Sequence, residues 1–325
     1  MKTQAIQIDR HGGPEVIHLV ESDVSEPGPG QIRVKQHAIG LNYIDIYHRT
    51  GLYPLALPHG LGMEGAGEVE SVGAGVTDFK PGDRVAYASG PIGAYSGLYL
   101  ISAQSVVKLP ATIGYEQAAA VMLKGLTVQY LFRQTYRLQG TETILFHAAA
   151  GGVGLIACQW ARALGVKLIG TVGSEQKAQL AREHGAWATI DYTKEDVVAR
   201  VLELTGGAKV PVVYDSVGKD TWEKSLDCLQ PRSLMVSFGN SSGPVAGVNL
   251  GILSQKGSLY VTRPTLATHL TPRKRYEDSA KELFQLIRSG KLRVNVTRRY
   301  RLDEAAQAQE DLAGRRTTGS CVLIP

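Results

Sequence analysis

The fold is decided by the stretch Thr143-Ile144-Leu145-Phe146-His147-Ala148-Ala149-Ala150-Gly151-Gly152-Val153-Gly154. Its first part, Thr143 to His147, is an apolar run typical of a buried strand, and apolar residues recur at helical spacing after the glycines. The turn between them is a variant of the G-x-G-x-x-G pattern, with Ala148 in the first position. Glycine lets a pyrophosphate approach the backbone, where amides at a helix N-terminus meet its charge. We therefore predict a dinucleotide site; the alternative is a tight strand-to-helix turn without a ligand.

The next predicted strand, Lys167 to Val172, indicates which dinucleotide is bound. A site for NADH places an Asp or Glu at the tip of this strand, where it binds the ribose 2′-hydroxyl. Here the tip is Gly173-Ser174, which leaves room for a 2′-phosphate and offers a hydroxyl, and Lys177 adds positive charge. Glu175 is explained by the helix dipole alone. These residues predict NADPH, although Lys177 also fits the description of an ordinary surface lysine.

Two patterns of elements divide the chain. Up to about residue 110, short β-type runs alternate with turns, which predicts a mainly antiparallel β domain. From about residue 125, apolar runs alternate with helical patterns, which predicts an α/β fold with a doubly wound parallel sheet. The apolar runs are Thr143–His147, Lys167–Val172, Val212–Asp215, Leu234–Phe238 and Leu259–Val261. After Pro264 we expect two helices and a last strand, Cys321 to Ile324, that pack back onto the first domain.

Composition excludes several classes of protein. The 325 residues include 43% hydrophobic and 20% charged side chains, enough apolar surface for two folded domains. No apolar run is long enough to span a bilayer, so we expect a cytoplasmic protein with no membrane partner. The three cysteines, Cys158, Cys228 and Cys321, are too widely spaced to indicate a disulfide framework or a thiolate zinc site. A net charge of +5 is spread too thinly to predict binding of nucleic acid.

Ordered landmarks along nearly the whole chain carry a family resemblance. They are His11 to Val16, Gly40 to Asp45, Gly51 to Pro54, Pro81 to Val85, Lys124 to Thr127, Ala148 to Gly154, Tyr214 to Gly218 and Ser237 to Gly243. The sequence resembles the bacterial, zeta-crystallin-like NADPH:quinone oxidoreductases, a zinc-free branch of the medium-chain dehydrogenase/reductase superfamily. The resemblance implies a GroES-like catalytic domain over 1–124, completed by 265–325, and a Rossmann domain that binds NADPH over 125–264. It also implies a homodimer with a quinone bound in the cleft between the domains.

The zinc alcohol dehydrogenases of the same superfamily carry a metal-site segment G-H-E-x-x-G, in which the histidine binds zinc. Here the segment is Gly62-Met63-Glu64-Gly65-Ala66-Gly67, and the first domain contains no cysteine. We therefore predict no metal. Without a Lewis acid, an acceptor that spreads incoming charge over a conjugated system is favoured, so a small-molecule quinone is the predicted substrate. Reduction of α,β-unsaturated carbonyls is the alternative, and a non-catalytic RNA-binding role is a remote one.

The resemblance also assigns residues to the site. At the nicotinamide end it places Asn42, Ile44, Asp45, Tyr47, Lys124 and Thr127. Around the phosphates it places Gly151, Gly152, Val153, Gly173, Ser174, Lys177, Tyr192 and Arg315, and beside the cofactor Ser216, Phe238, Gly239 and Ser241. Tyr47 and Tyr53 are the candidate proton donors, with Asn42 as a third catalytic candidate; a tyrosine in such a place also serves simply as a wall.

Overall fold

The computed structural model describes all residues, Met1–Pro325, and the chain divides into two compact units. Unit one comprises Met1–Leu126, Pro272–Arg288 and Val294–Pro325. Unit two comprises Thr127–Thr271 and Ser289–Arg293. Because unit one is built from three separate segments, its sheet includes residues from both ends of the sequence.

The strands in chain order are β1 (Lys2–Ile8), β2 (His18–Asp23), β3 (Gln31–Gly40), β4 (His59–Gly60), β5 (Glu64–Val72), β6 (Arg84–Ala88), β7 (Leu98–Ser102), β8 (Val107–Lys108), β9 (Thr143–Phe146), β10 (Lys167–Val172), β11 (Ala188–Asp191), β12 (Val210–Asp215), β13 (Leu229–Ser237), β14 (Tyr260–Thr262), β15 (Val296–Arg301) and β16 (Ser320–Ile324). The α-helices are α1 (Tyr43–Thr50), α2 (Tyr115–Ala119), α3 (Met122–Tyr130), α4 (Gly152–Leu164), α5 (Glu175–Glu183), α6 (Val197–Leu204), α7 (Trp222–Asp227), α8 (Gly251–Gln255), α9 (Leu266–His269), α10 (Arg273–Arg288) and α11 (Ala305–Ala313). A π-helical turn, Leu131–Thr135, follows α3.

Unit one is built on a mainly antiparallel sheet with the strand order β15-β16-β3-β5-β6-β8, with β7 also paired to β3. A smaller sheet has the order β2-β1-β4. The last strand, β16, runs antiparallel to β3 and pairs Val322 with Gly40. One core cluster packs Ile6 of β1 and Leu323 of β16 against Ala308 of α11, so residues from the two ends of the chain share this core.

Unit two is a six-stranded sheet with the order β11-β10-β9-β12-β13-β14, and every pair in it is parallel. Its core cluster includes Leu145, Ile169 and Val213, which come from three neighbouring central strands. Such runs of apolar residues are expected in parallel strands that are covered on both faces. The predicted α/β class, with a parallel sheet and a mainly antiparallel β domain, is confirmed.

The sequence missed one strand of the parallel sheet. β11 contains four residues, Ala188–Asp191, and pairs only with β10, at the edge. With four residues and only one large apolar side chain, Ile190, it has no strong strand signal and is ordered by its partner rather than by local preference. The two helices and the last strand predicted after Pro264 are present as α10, α11 and β16. No helix combines the length and the apolar character that crossing a membrane would require.

Candidate functional site

The glycine-rich turn lies where the order of the parallel strands reverses. β9 has β10 on one side and β12 on the other, so the chain leaves β9 at the switch point where such sheets bind ligands. Ala148 adopts a left-handed backbone, with φ of 56°, and its carbonyl accepts the N–H of Gly151 at 3.0 Å. A Cβ on Gly154 would lie 2.4 Å from that carbonyl oxygen, so only glycine fits there. The exposed N-terminus of α4 therefore sits against a turn that leaves its first amides accessible to an anion.

The tip of β10 contains the residues predicted to recognise the 2′-phosphate. The Ser174 hydroxyl caps α5 by accepting the N–H of Lys177 at 3.3 Å. The Tyr192 hydroxyl lies 2.6 Å from the position of a Cβ on Gly173, so these two residues adjoin each other. Glu175 forms an ion pair with Arg182, with 2.5 Å between their Oε1 and Nη2 atoms. The Glu175 carboxylate is thus already paired along its own helix.

The loops that follow β12 and β13 meet at the same edge of the sheet. The carbonyl oxygen of Ser216 accepts the N–H of Ser241 at 3.2 Å. A Cβ on Gly239 would lie 2.5 Å from the same carbonyl oxygen. The ring of Phe238 packs against that of Phe146 in β9, with 5.7 Å between centroids. The structure therefore brings together the four residues that the sequence assigned beside the cofactor after these strands.

In unit one, the start of α1 holds a buried polar group. Asn42 is the N-cap residue, and its N–H donates to Asp45 Oδ2 at 2.9 Å. The Tyr95 hydroxyl donates to the same oxygen at 2.8 Å, while Asp45 Oδ1 is buried without a partner. Burial raises the pKa of Asp45 to about 7, against the hydrogen bonds from Tyr95 and Asn42, which lower it. Asp45 is therefore a carboxyl group that changes its charge near neutral pH.

Glu64 links two of the predicted site residues. It is fully buried at the start of β5, and its Oε2 accepts the side-chain amide of Asn42 at 2.6 Å. The ammonium of Lys124 lies 3.4 Å from the same oxygen, and the N–H of Leu123 donates to Oε1 at 2.7 Å. Burial raises the pKa of Glu64, and Lys124 opposes that effect. Because Glu64 binds the NH₂ of Asn42, the amide oxygen of Asn42 is turned away from this carboxylate.

The two candidate proton donors are neighbours in unit one. Tyr47 and Tyr53 meet edge to face with 5.2 Å between ring centroids, and Tyr43 packs against Tyr47 at 5.6 Å. The N–H of Tyr53 donates to the carbonyl of Tyr47 at 3.1 Å. Tyr47 is 8% exposed, and Tyr53 is more open. Their aromatic packing fits side chains that line a binding site as well as it fits proton donors.

A catalytic zinc ion does not fit the residues present. Glu64 is occupied by three hydrogen-bond donors, one of them the Lys124 ammonium, which repels a cation. Its neighbour in the sequence is Met63 rather than a histidine. No group of three or more His, Cys, Asp or Glu side chains is arranged to hold a metal. The residues around Glu64 therefore do not provide the nitrogen and sulfur ligands of a tetrahedral zinc site.

The predicted site residues fall into two groups, one in each unit. Unit one holds Asn42, Ile44, Asp45, Tyr47, Tyr53 and Lys124, and also Arg315, which is exposed after α11. Unit two holds Thr127, Gly151, Gly152, Val153, Gly173, Ser174, Lys177, Tyr192, Ser216, Phe238, Gly239 and Ser241. Sequence reasoning missed the contacts of Glu64, and also Arg263, whose guanidinium donates to the carbonyl of Gly239 at 2.8 Å. The segment Gly62-Met63-Glu64, which stands where related enzymes have G-H-E, was a sequence signal for Glu64. No sequence pattern pointed to Arg263.

Two family models match the chain. The model described as alcohol dehydrogenase GroES-like domain matches residues 28–111, and the model described as zinc-binding dehydrogenase matches residues 152–286. The first match lies in unit one, and most of the second lies in unit two. The second model is named for zinc, although this chain lacks the metal ligands discussed above.

Individual proteins resemble the chain over nearly its whole length. It is 65% identical over 321 residues to a quinone oxidoreductase of Pseudomonas aeruginosa. The aligned region covers 98% of this chain and 99% of that protein. A crystal structure of Escherichia coli quinone oxidoreductase complexed with NADPH superimposes with a TM-score of 0.98 at 58% identity, covering 99% of this chain and 100% of that one. A 2-haloacrylate reductase of Burkholderia is 44% identical over 331 residues, covering 99% and 98% of the two chains.

Proposed function

Because this chain belongs to the quinone oxidoreductases of the medium-chain dehydrogenase/reductase superfamily, we propose that it is an NADPH-dependent quinone reductase that uses no metal. The observation that carries the proposal is the glycine-rich turn at the switch point of the parallel sheet, next to a strand tip that offers a hydroxyl and a lysine and whose following helix has its first carboxylate, Glu175, paired with Arg182. When bound, NADPH supplies the two electrons that reduce the acceptor.

Unit two is proposed to hold the cofactor. Gly151, Gly152 and Val153 bind the pyrophosphate through backbone amides at the N-terminus of α4, with the helix dipole behind them. Ser174, Lys177 and Tyr192 surround the 2′-phosphate, for which Gly173 leaves space. The remaining cofactor contacts proposed for this unit are Thr127, Ser216, Phe238, Gly239 and Ser241. In unit one they are Asn42, Ile44, Asp45, Tyr47, Lys124 and Arg315.

Lys177→Ala tests the choice of cofactor. A charge-assisted hydrogen bond contributes about 1.5–3 kcal/mol, so we expect at least about tenfold weaker binding of NADPH and unchanged binding of NADH. The measurement is a fluorescence titration with each dinucleotide. Lys281→Ala, which removes an exposed lysine from α10 in unit one, is the control and leaves both affinities unchanged. Equal affinities for NADPH and NADH in the unmodified protein would refute this reading of the β10 tip.

The electron acceptor is proposed to be a quinone, because its conjugated ring takes up charge with little help beyond orientation. Asn42, Tyr47 and Tyr53 are the groups proposed to contact the reacting oxygen, and either phenol can donate a proton to it. The 2-haloacrylate reductase among the relatives favours an activated alkene as the second candidate acceptor. Steady-state oxidation of NADPH with p-benzoquinone, phenanthrenequinone, 2-chloroacrylate and an alkenal separates the two. Turnover with the alkenes but with no quinone would overturn the leading proposal.

We also propose a homodimer, in the cytoplasm, with the two domains spanning 1–124 plus 265–325 and 125–264. The edge strand β14 supports the dimer, since Tyr260 is 62% exposed and Val261 38% exposed beside backbone groups with no further strand. A second copy that places its β14 beside this one would cover these two side chains and pair the open backbone groups. Light scattering coupled to size exclusion tests this proposal, and Tyr260→Asp should shift a dimer toward monomer. A monomer in the unmodified protein at all concentrations would overturn it.

A further inference from the structure

A buried chain of hydrogen bonds connects the carboxyl ends of three neighbouring strands in unit two. It begins at Asp215, the fully buried last residue of β12. Its Oδ1 accepts the N–H groups of Val217 at 2.7 Å and of Gly218 at 3.0 Å. Its Oδ2 accepts the hydroxyls of Thr221 and Ser225, each at 2.7 Å. One oxygen thus fixes the backbone turn after β12, and the other orients two hydroxyl groups.

His147, which precedes the glycine-rich turn, extends this chain. Its Nε2 lies 3.0 Å from Ser225 Oγ, and its Nδ1 lies 3.0 Å from the hydroxyl oxygen of Thr171. The Thr171 oxygen also accepts the N–H of Ala148 at 3.3 Å. His147 is 2% exposed and Thr171 is 2% exposed, so water does not compete for these partners. The chain therefore runs without interruption from Asp215 to the first residue of the turn.

The position of each proton along the chain follows from the chemistry of the groups. Ser225 has one hydroxyl proton and donates it to Asp215, so it accepts from His147 Nε2–H. Burial lowers the pKa of His147, so the imidazole is neutral at pH 7 and its Nδ1 is an acceptor. Thr171 donates to that nitrogen and accepts from Ala148. The carboxylate at one end therefore determines the tautomer of the histidine and the direction of every hydroxyl.

We propose that Asp215, acting through Ser225, His147 and Thr171, is a positioning residue that holds the Ala148 turn and the Ser216–Gly218 turn in register for binding the dinucleotide. Ala148 needs such support because its left-handed backbone, with φ of 56°, costs a non-glycine residue conformational free energy. Both turns lie at the edge of the sheet where the cofactor is proposed to bind. The consequence for affinity rests on the proposed function; the order of the protons does not.

The unmodified protein provides the first test. Long-range proton–nitrogen NMR of histidine-labelled protein distinguishes the two neutral tautomers of His147 and its protonated form. We expect the Nε2–H tautomer, both with and without NADPH. The Nδ1–H tautomer or the imidazolium at pH 7 would overturn the proposed chain. This measurement does not depend on whether the protein binds NADPH, so its failure is separable from failure of the proposed function.

Two matched variants then test the positioning role. Ser225→Ala breaks the chain, whereas Thr221→Val removes a hydrogen bond of the same 2.7 Å length from the same carboxylate oxygen but leaves the chain to His147 intact. We expect Ser225→Ala to change the His147 tautomer signal, to shift the Ala148 amide resonance and to weaken NADPH binding by about tenfold. Thr221→Val should leave all three unchanged, although both variants lose stability. Equal effects of the two variants on the amide resonance and on affinity would mean that Asp215 only stabilises the fold. If Ser225→Ala does not fold, Thr171→Val interrupts the chain at its other end and takes its place.

Discussion

Asp45→Asn is expected to remove a pH-dependent loss of stability from unit one. Asp45 is fully buried beside Glu64 and Lys124, and the Tyr95 hydroxyl donates to its Oδ2. Burial raises its pKa from the usual 3.8 to about 7. Between these two pH values the folded protein keeps a proton that the unfolded chain has lost. The free energy of unfolding therefore falls as the pH rises through this window, and it levels off above about 7.

The size of the effect follows from the shift. One pKa unit corresponds to about 1.4 kcal/mol, so a rise of about three units costs up to about 4 kcal/mol once both states are ionised. Of this, about 2.5 kcal/mol falls between about pH 5 and about pH 8. Asparagine cannot ionise, and its amide oxygen still accepts the hydrogen bonds from Asn42 and Tyr95. Glu64 is present in both proteins, so only its coupling to the Asp45 charge, a lesser cause of the shift than burial, differs between them.

Urea unfolding at pH 5 and pH 8 measures the effect. The unmodified protein should lose about 2.5 kcal/mol more than Asp45→Asn between these two conditions. Asp311→Asn is the matched control, because Asp311 also accepts a tyrosine hydroxyl at 2.8 Å, from Tyr300. That hydrogen bond lowers the pKa of Asp311, so its stabilisation is complete at both pH values, and its variant keeps the pH dependence of the unmodified protein. The same pH dependence in Asp45→Asn would refute the reasoning.

Three further variants probe the site. Glu64→Gln leaves the Lys124 ammonium buried without its counter-charge, so urea unfolding should show a loss of about 3 kcal/mol; a loss below 1 kcal/mol would mean that water already relieves this pair. Gly154→Ala forces a Cβ to within 2.4 Å of a backbone carbonyl oxygen, so the free energy of unfolding should fall by about 1–3 kcal/mol in the same assay. The control Gly114→Ala has open space at its Cβ and should lose under about 1 kcal/mol. Gly173→Val displaces only the flexible end of the 46% exposed Tyr192, so thermal unfolding should be nearly unchanged while NADPH affinity falls; unchanged affinity would place the 2′-phosphate elsewhere.

The sequence predicted best where the signal is local. The strand β9, the turn and α4 are consecutive, and their apolar spacing, small residues and helix start are all visible in one stretch. The family resemblance then supplied the proposed roles of residues such as Tyr192, which no spacing reveals.

What the sequence could not provide depends on contacts between distant residues. Glu64 reads as a polar residue near a turn, and only the folded sheet shows that Asn42 and Lys124 enclose it. The same is true of His147 and Ser225, which are neighbours only because β9 and α7 meet. β11 lacks a strand signal of its own and is ordered by β10. In each case the contact itself is tertiary, so the sequence does not show it, even where the G-x-E segment pointed to Glu64.

The pairing of β16 with β3 has a consequence for how the chain folds during synthesis. Residues 127–271 leave the ribosome before β15 and β16 do, so unit two can complete its sheet while the end of β3 at Ile39 and Gly40, beyond its pairing with β7, still lacks its partner strand. We therefore expect the nascent chain to acquire a protease-resistant core around unit two first, with unit one closing only after the last strand emerges. Until β16 emerges, Ile39 and Gly40 of β3 lack their strand partners and stay accessible to chaperones.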